Sequence, residues 1–440
     1  MSDESQAHAH GGSAERGDAA LEALVVADVH VDAGHWATGP DGSRSAWENA
    51  QRCYLACVDA AILRQVGAFV VAGDCFRTHA PSPEATELIA DGLRRLSEAK
   101  VPAIVMAGNH ELVGLPVGHR HALARYADID GVRVVDEPSV VRLESGLQVA
   151  CLPWPRRPGA SALIGAGRTS LEEAVSKLAA EAVERLAEEV TADEPCLFAG
   201  HLLVDRVRLG GLARGSETQM AHLVSEPIVR LQDLVAGPWA MAVLGHVHRR
   251  QALEKTGRVW YTGSPERHDV SDEGGEKGGS VVRFFGAREA HMELVSTPAR
   301  RFRTIEVDLD DPSSVEKAAS AVEEGELVRL RYRGGDRRLL QEAERLVASR
   351  GAAAVRTSAP AAKAYVERER SGIAAETDLP AALLAWLERS GKGKEELAAL
   401  LEAAAELRGE ADSGRDDGEE GDAGEEGAPA QEGEAGEGER

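Results

Sequence analysis

Short apolar runs recur along the chain, and each is closed by polar residues of a restricted kind. Residues 21–27, 68–72, 104–107, 196–199 and 241–244 are such runs. Their Val, Ala, Leu and Ile content and their turn-forming boundaries fit strands buried on both faces. Between the first three lie stretches of helical spacing, 46–65 and a segment from Pro83 to about Lys100. The latter opens with Ser82 as N-cap and Pro83 at the first helical position. Strand alternating with helix predicts an α/β chain with a largely parallel sheet and helices on its faces. From Val132 to Leu152 the period drops to two, as in VRVV and LQVACL, which predicts antiparallel strands joining that sheet. Residues 169–191 read as a long helix, and 202–225 as a long polar loop of a length more often functional than idle. Further strands follow at 260–263, 280–285 and 291–296.

The pattern changes after Arg300. Strands at 303–309, 327–333 and 352–356 alternate with helices at 313–324 and 336–350, a compact βαβαβ unit that predicts a second, small α+β domain. Residues 378–408 read as two short helices. Leu383, Leu384 and Leu387 share one side of the first, and Leu397, Leu400, Leu401 and Leu407 follow a helical stripe in the second. The expected organisation is therefore a disordered N-terminus (1–20), a large domain (21–300), the small domain (301–372), the helix pair (378–408) and a disordered acidic tail (409–440).

Composition narrows the setting. With 440 residues, 43% of them hydrophobic, the chain can bury a large core in more than one domain. No apolar run approaches the roughly 18–20 residues that span a bilayer, and the first twenty residues have no apolar signal-peptide core. The 5 cysteines, an odd number, are expected to be reduced, small apolar residues. These features predict a cytoplasmic protein with no membrane association. The net charge of −24 argues against a simple basic protein that coats DNA. Nearly half of it comes from residues 409–440, which hold 13 acidic and 2 basic residues. DNA held through a metal centre and a partner subunit remains compatible with that charge.

The five strand ends carry the candidate chemistry. They present Asp28 and His30, then Asp74, then Asn109 and His110, then His201, then His246 and His248. Apart from His110, these are ligand-type side chains with mixed nitrogen and oxygen donors. Such a set suits a pair of borderline divalent ions, manganese, iron or zinc, better than calcium or a thiolate site. Two ions roughly 3.5–4 Å apart need a bridging carboxylate, and Asp74 is central among the candidates. Taken singly, an Asp or His after a strand is more often a cap or turn residue, and a lone histidine such as His201 a satisfied polar group. Recurrence at five strand ends, four of them after a glycine, is not explained by turn chemistry. Gly108 is expected to let the chain turn sharply at its strand end. His35, His79, His119, His121, His222, His268 and His291 lack this context and are read as surface residues or supports around the site.

DxH at 28–30, GD at 73–74, GNHE at 108–111, GH at 200–201 and GHxH at 245–248 resemble the calcineurin-like metallophosphoesterases. Within them, PSPEA at 81–85, LPWPRR at 152–157, AGHLLV at 199–204, LGHVHRRQAL at 244–253 and YTGSPERHDVSDEGGEKG at 261–278 resemble the SbcD and Mre-type DNA-repair nucleases. The resemblance is strong over about 21–310, holds in outline for the small domain and reaches neither tail. It implies a β-sandwich core flanked by helices, with a small α+β capping domain that contacts DNA and C-terminal helices. One metal ion would be held by Asp28, His30, Asp74 and His248, the other by Asp74, Asn109, His201 and His246, with manganese the expected metal. His110 would be the catalytic residue, facing the phosphate rather than an ion. The implied activity is two-metal hydrolysis of DNA phosphodiesters, as a double-strand 3'–5' exonuclease and single-strand endonuclease. The implied partners are DNA and an SbcC-like SMC-type ATPase docking on 378–408, and a homodimer is allowed. A small-molecule phosphodiesterase or phosphatase of the same fold, and a non-catalytic scaffold, stand as alternatives. The sequence departs from the group at Arg77, where an acidic residue or histidine is usual, and at Glu111, where Asp is more frequent. Glu111 is still expected to orient His110.

Overall fold

The computed structural model describes residues 21–32, 45–113, 115, 119–155, 171–207, 226–268 and 272–358. All fall in the first of two units, 1–360 and 361–440, into which the chain divides. The helix pair expected at 378–408, both tails and most of the loop expected at 202–225 lie outside the described residues.

The first elements in chain order are β1 (Leu21–Val26), α1 (Ser45–Arg64), β2 (Ala68–Ala72), α2 (Pro83–Glu98), β3 (Ala103–Met106), α3 (Asn109–Leu112) and β4 (Val132–Val135). The four strands lie side by side and parallel, and every residue of β2 and β3 is buried, as their continuous apolar runs require. Ser82 caps α2 as expected, its Oγ accepting from the Ala85 amide at 3.1 Å. The chain then forms β5 (Ser139–Arg142), β6 (Gln148–Leu152), α4 (Leu171–Glu189), β7 (Cys196–His201), β8 (Leu203–Val204), β9 (Ile228–Val229), α5 (Leu231–Ala236), β10 (Met241–Gly245), β11 (Gln251–Ala252) and β12 (Val259–Tyr261). These build a second six-stranded sheet in the order β11-β12-β10-β7-β6-β5, with β8 and β9 paired to each other. Finally β13 (Gly278–Phe284) and β14 (Ala290–Ser296) return as an antiparallel hairpin beside β1. They complete the first sheet as β14-β13-β1-β2-β3-β4.

The single sheet expected from strand–helix alternation is thus two, and the period-two stretch divides between them. β4 is parallel to β3. Its alternation reflects an edge position, with Arg133 exposed between buried Val132 and partly buried Val134. The antiparallel pairing belongs to β5 and β6 of the second sheet.

The sheets pack face to face. Val25, Val70 and Met106 of the first meet Val149, Leu197 and Val243 of the second in one buried layer. The opposite face of the first sheet, including Leu24, Phe69 and Val105, packs under Tyr54, Ile89 and Leu93 of α1 and α2. Phe198 and Leu244 of the second pack under Val183, Leu186 and Leu234 of α4 and α5. The result is an α/β/β/α sandwich. All five cysteines are free and buried in it. Among the described residues no helix is long and apolar enough to cross a membrane.

The segment after Arg300 forms the βαβαβ unit: β15 (Phe302–Asp308), α6 (Pro312–Ser320), β16 (Leu327–Arg333), α7 (Arg337–Ser349) and β17 (Ala354–Ser358). Its three strands are parallel and share their own core of Ile305, Val328, Leu330, Ala319 and Val347. Asp311 and Asp336 cap the two helices through their carboxylates, as short polar side chains do at helix starts.

Candidate metal centre

The carboxyl ends of β1, β2, β3, β7 and β10 converge, so residues far apart in sequence meet at one edge of the sandwich, the usual place for a site in open α/β sheets. Asp28 and His30 follow β1, Asp74 follows β2, Asn109 and His110 open α3 after β3, His201 ends β7, and His246 and His248 follow β10. The seven ligand-type residues expose between 0% and 8% of their surface. His110 is the outlier, its side chain 22% exposed at the rim.

Sharp chain reversals aim these side chains inward. Six non-glycine residues among those described have positive φ, and four of them belong to this site: Asp28 (54°), His30 (43°), Asp74 (56°) and His246 (88°). Asp, Asn and His tolerate that region best, and such strain gathers where a site needs it. Gly108 works differently from the expected turn. Its φ is −95° and ψ −171°, open to any residue, but a Cβ there would lie 2.1 Å from Asp74 Oδ1. It is required for close approach of two strand ends. Glu111 also departs from expectation, for its carboxylate does not contact the His110 ring. Instead it accepts from the buried amides of Gly108 (2.8 Å), Asp74 (3.1 Å) and Phe76 (3.0 Å), clamping the β2 and β3 ends together. His110 takes its orientation from the backbone of Arg77, through Nδ1 to the carbonyl oxygen at 2.5 Å.

Asp74 is the hub. Its Oδ1 accepts from the His110 amide at 3.0 Å. Its Oδ2 faces Nε2 of His201 at 3.3 Å, of His30 at 3.7 Å and of His110 at 3.9 Å. Asn109 Oδ1 lies 2.9 Å from His201 Nε2 and 3.1 Å from His246 Nδ1. Asp28 accepts the His246 amide on both oxygens at 3.0 Å. Three sets of ligand atoms lie close enough to hold an ion, all within 4.8 Å: Asp28, His30 and His248; Asp28, Asp74 and His201; and His30, Asp74 and His110.

The donor chemistry fits divalent metal ions. His30 Nδ1 is 2.9 Å from the Phe76 carbonyl and His201 Nδ1 is 2.8 Å from the Ala72 carbonyl. Each Nδ1 therefore carries a proton, and each Nε2, the atom that a metal-binding imidazole offers, faces Asp74. Carboxylate and amide oxygens crowd these nitrogens in a buried space, an arrangement that calls for positive charge. The chain alone supplies it through His201: burial opposes protonation, yet the adjacent Asp74 and Asp28 carboxylates push this imidazole up to about 9. A metal ion would take over that charge and release the proton. Burial, reinforced by the charge of neighbouring His110, holds His30 well below the usual histidine range and so in its neutral form. Burial works against an ionised Asp74 as well, but His201 and His110 hold its carboxyl well below the usual range.

All eight residues singled out in the sequence meet here. The sequence reading did not single out every support around them. Trp154, from the LPWP segment, packs on His246 at a ring-centroid distance of 5.3 Å. Glu226 stands 3.6 Å from His246 Nε2. His268, read from the sequence as a surface residue or a support, is a support: it is buried and bonds through Nε2 to the Asp28 carbonyl at 2.8 Å. The signal for Trp154 and His268 was their place in the LPWPRR and YTGSPERHDVSDEGGEKG segments, and nothing in the sequence singled out Glu226.

The sequence profile of the calcineurin-like phosphoesterases matches residues 21–250, a span that contains every one of these eight residues. The chain is also similar to curated bacterial proteins named as one of the subunits of the nuclease SbcCD. That of Bacillus subtilis is 26% identical over 242 residues, 52% of this chain and 59% of the relative. That of Rhodobacter capsulatus is 28% identical over 281 residues, 59% of this chain and 67% of the relative. The match thus spans about three fifths of the Bacillus relative's length. Among solved structures, a dimetal phosphatase from Danio rerio aligns over 63% of this chain and 99% of its own, at 12% identity and a TM-score of 0.37. With its profile match covering just over half of the residues, the chain belongs to the calcineurin-like phosphoesterase family.

Proposed function

We propose that this phosphoesterase is a divalent-metal-dependent DNA nuclease. It would degrade duplex ends as a 3'–5' exonuclease, cut single strands as an endonuclease and act as the nuclease subunit beside an SMC-type ATPase. The observation that carries the reading is the position of Asp74, whose Oδ2 faces three imidazole Nε2 atoms within 3.9 Å between two groups of ligands. The similarity to proteins named as part of the nuclease SbcCD supports the choice of DNA. Asp28, His30, Asp74 and His248 would hold one ion and Asp74, Asn109, His201 and His246 the other, with manganese the expected metal. When bound, such ions neutralise charge on a phosphate oxygen and lower the pKa of water. His110 sits at the solvent edge with Nδ1 bound to the Arg77 carbonyl, which leaves Nε2 to carry a proton toward a departing oxygen. The unit at 301–372 would extend the DNA surface, and the segment 378–408 would dock on the ATPase.

The test compares turnover of linear duplex DNA, a short single strand, a small aryl phosphodiester and a phosphomonoester, each with manganese. Cleavage of both DNA forms, abolished by chelation, is the expected result. Hydrolysis confined to the small esters would make the chain a small-molecule phosphoesterase, and no hydrolysis of any substrate would make it a scaffold.

A further inference from the structure

Beside His248 lies a group of buried polar residues with no part in the ligand scheme. Ser264, His268, Asp272 and Lys277 expose between 0% and 7% of their surface. Lys277 Nζ donates to the His248 backbone carbonyl at 2.8 Å and to Ser264 Oγ at 2.7 Å, and it pairs with Asp272 Oδ1 at 3.0 Å. An ammonium has three donors, and all three are used. The other Asp272 oxygen accepts the His268 amide at 2.9 Å and stands 3.8 Å from His248 Nδ1. The His268 ring packs edge-on against those of both His30 and His248, at centroid distances of 5.0 Å and 5.1 Å.

A buried ion pair is by itself weak evidence of a stabilising role, because apolar replacements are often tolerated as well. This pair is distinguished by what it touches. Lys277 grips the main chain of His248 while its partner carboxylate faces the ring of the same residue. We propose that Asp272, fixed by Lys277, is a positioning residue for His248. Its carboxylate, 3.8 Å from Nδ1, is a fixed negative charge that favours the proton on that atom and so leaves Nε2 as the free donor for an ion. The affinity of the ion assigned to Asp28, His30, Asp74 and His248 is then set by a carboxylate that never touches it. This inference rests on the metal-centre reading given above. Carboxylate partners of this kind raise the basicity of a ligating imidazole, and their loss typically weakens metal binding about 10–100-fold.

The experiment is a manganese titration of the full chain by calorimetry, with thermal unfolding measured alongside. The wild type is expected to bind two ions. Asp272→Asn, which preserves shape, should weaken one of the two by about 10–100-fold and leave the other unchanged. It should also lower the unfolding temperature, because Lys277 loses its counter-charge. The double variant Asp272→Asn, Lys277→Met removes both charges. It should regain stability while keeping the weakened ion, which a purely structural pair would not do. If the double variant binds both ions like the wild type, the pair serves stability alone and the proposal is overturned. Should the double variant fail to fold, the ion affinities of Asp272→Asn decide by the same criterion. A wild type that binds no manganese would instead overturn the metal-centre reading, and this inference with it.

Discussion

The Nδ1 atom of His110 lies 2.5 Å from the backbone carbonyl oxygen of Arg77. The bond uses the main chain of position 77, so the unusual arginine there leaves the orientation of His110 intact. It also leaves Nε2 at the exposed rim, 3.9 Å from Asp74, the placement of a proton donor more than of a buried ligand. His110→Ala is therefore expected to retain the metal content of the wild type and to lose hydrolysis by roughly two or more orders of magnitude, as for a positioned acid. Elemental analysis beside turnover checks this; loss of an ion in the variant would make His110 a ligand.

Glu111 holds three buried amides, those of Gly108, Asp74 and Phe76. Burial, with the charge of nearby Asp74, pushes its carboxyl up to about 8. Glu111→Ala leaves three unsatisfied donors, each worth about 1–3 kcal/mol, so destabilisation on the order of 3–5 kcal/mol is expected by urea unfolding. A change below about 1 kcal/mol would mean that the clamp is dispensable.

Glu266 is buried, and desolvation raises its carboxyl to about 7 from an ordinary 4.5, against the pull of the Arg267 amide and of Arg300. The folded state then binds a proton that the unfolded state has released across this interval. The contribution of Glu266 to stability therefore falls as pH rises from about 4.5 to about 7. Glu266→Gln should remove that slope and raise stability at pH 8 by on the order of 2–3 kcal/mol. Chemical denaturation at pH 5 and pH 8 measures it; equal slopes in variant and wild type would contradict the assignment.

The leucine pattern that the sequence predicts at 397–407 offers a test of the proposed partner. Leu397→Glu with Leu401→Glu is expected to abolish co-purification with the SMC-type ATPase, as for an amphipathic helix losing its groove. Manganese-dependent cleavage of short single strands by the isolated subunit should persist. A variant that unfolds while still binding the ATPase would place these helices in the core.

The site was legible in the sequence because buried parallel strands are continuous apolar runs. Ile104–Ala107 and Met241–Leu244 mark their own ends, and the residues that follow must lie at one sheet edge. The need for Gly108 was legible but its reason was not, since the close approach of Asp74 is a contact between two strands and leaves no local trace. The same holds for His268, Asp272 and Lys277. A segment reading ERHDVSDEGGEK looks solvated, and only the fold reveals that part of it is buried behind His248. The parallel pairing of β4 was misread because edge strands and antiparallel strands share a period of two.

Whether Asp74 joins two ions at this edge is measured most directly by electron paramagnetic resonance of the manganese-loaded full chain, with ion counting. Two ions per chain are predicted, with the exchange-coupled signal of a pair about 3.5–4 Å apart. Asp74→Ala is predicted to lose both ions, while Asp28→Ala loses less. Two uncoupled ions, or an Asp74→Ala variant that keeps more metal than Asp28→Ala, would contradict a bridging role for Asp74.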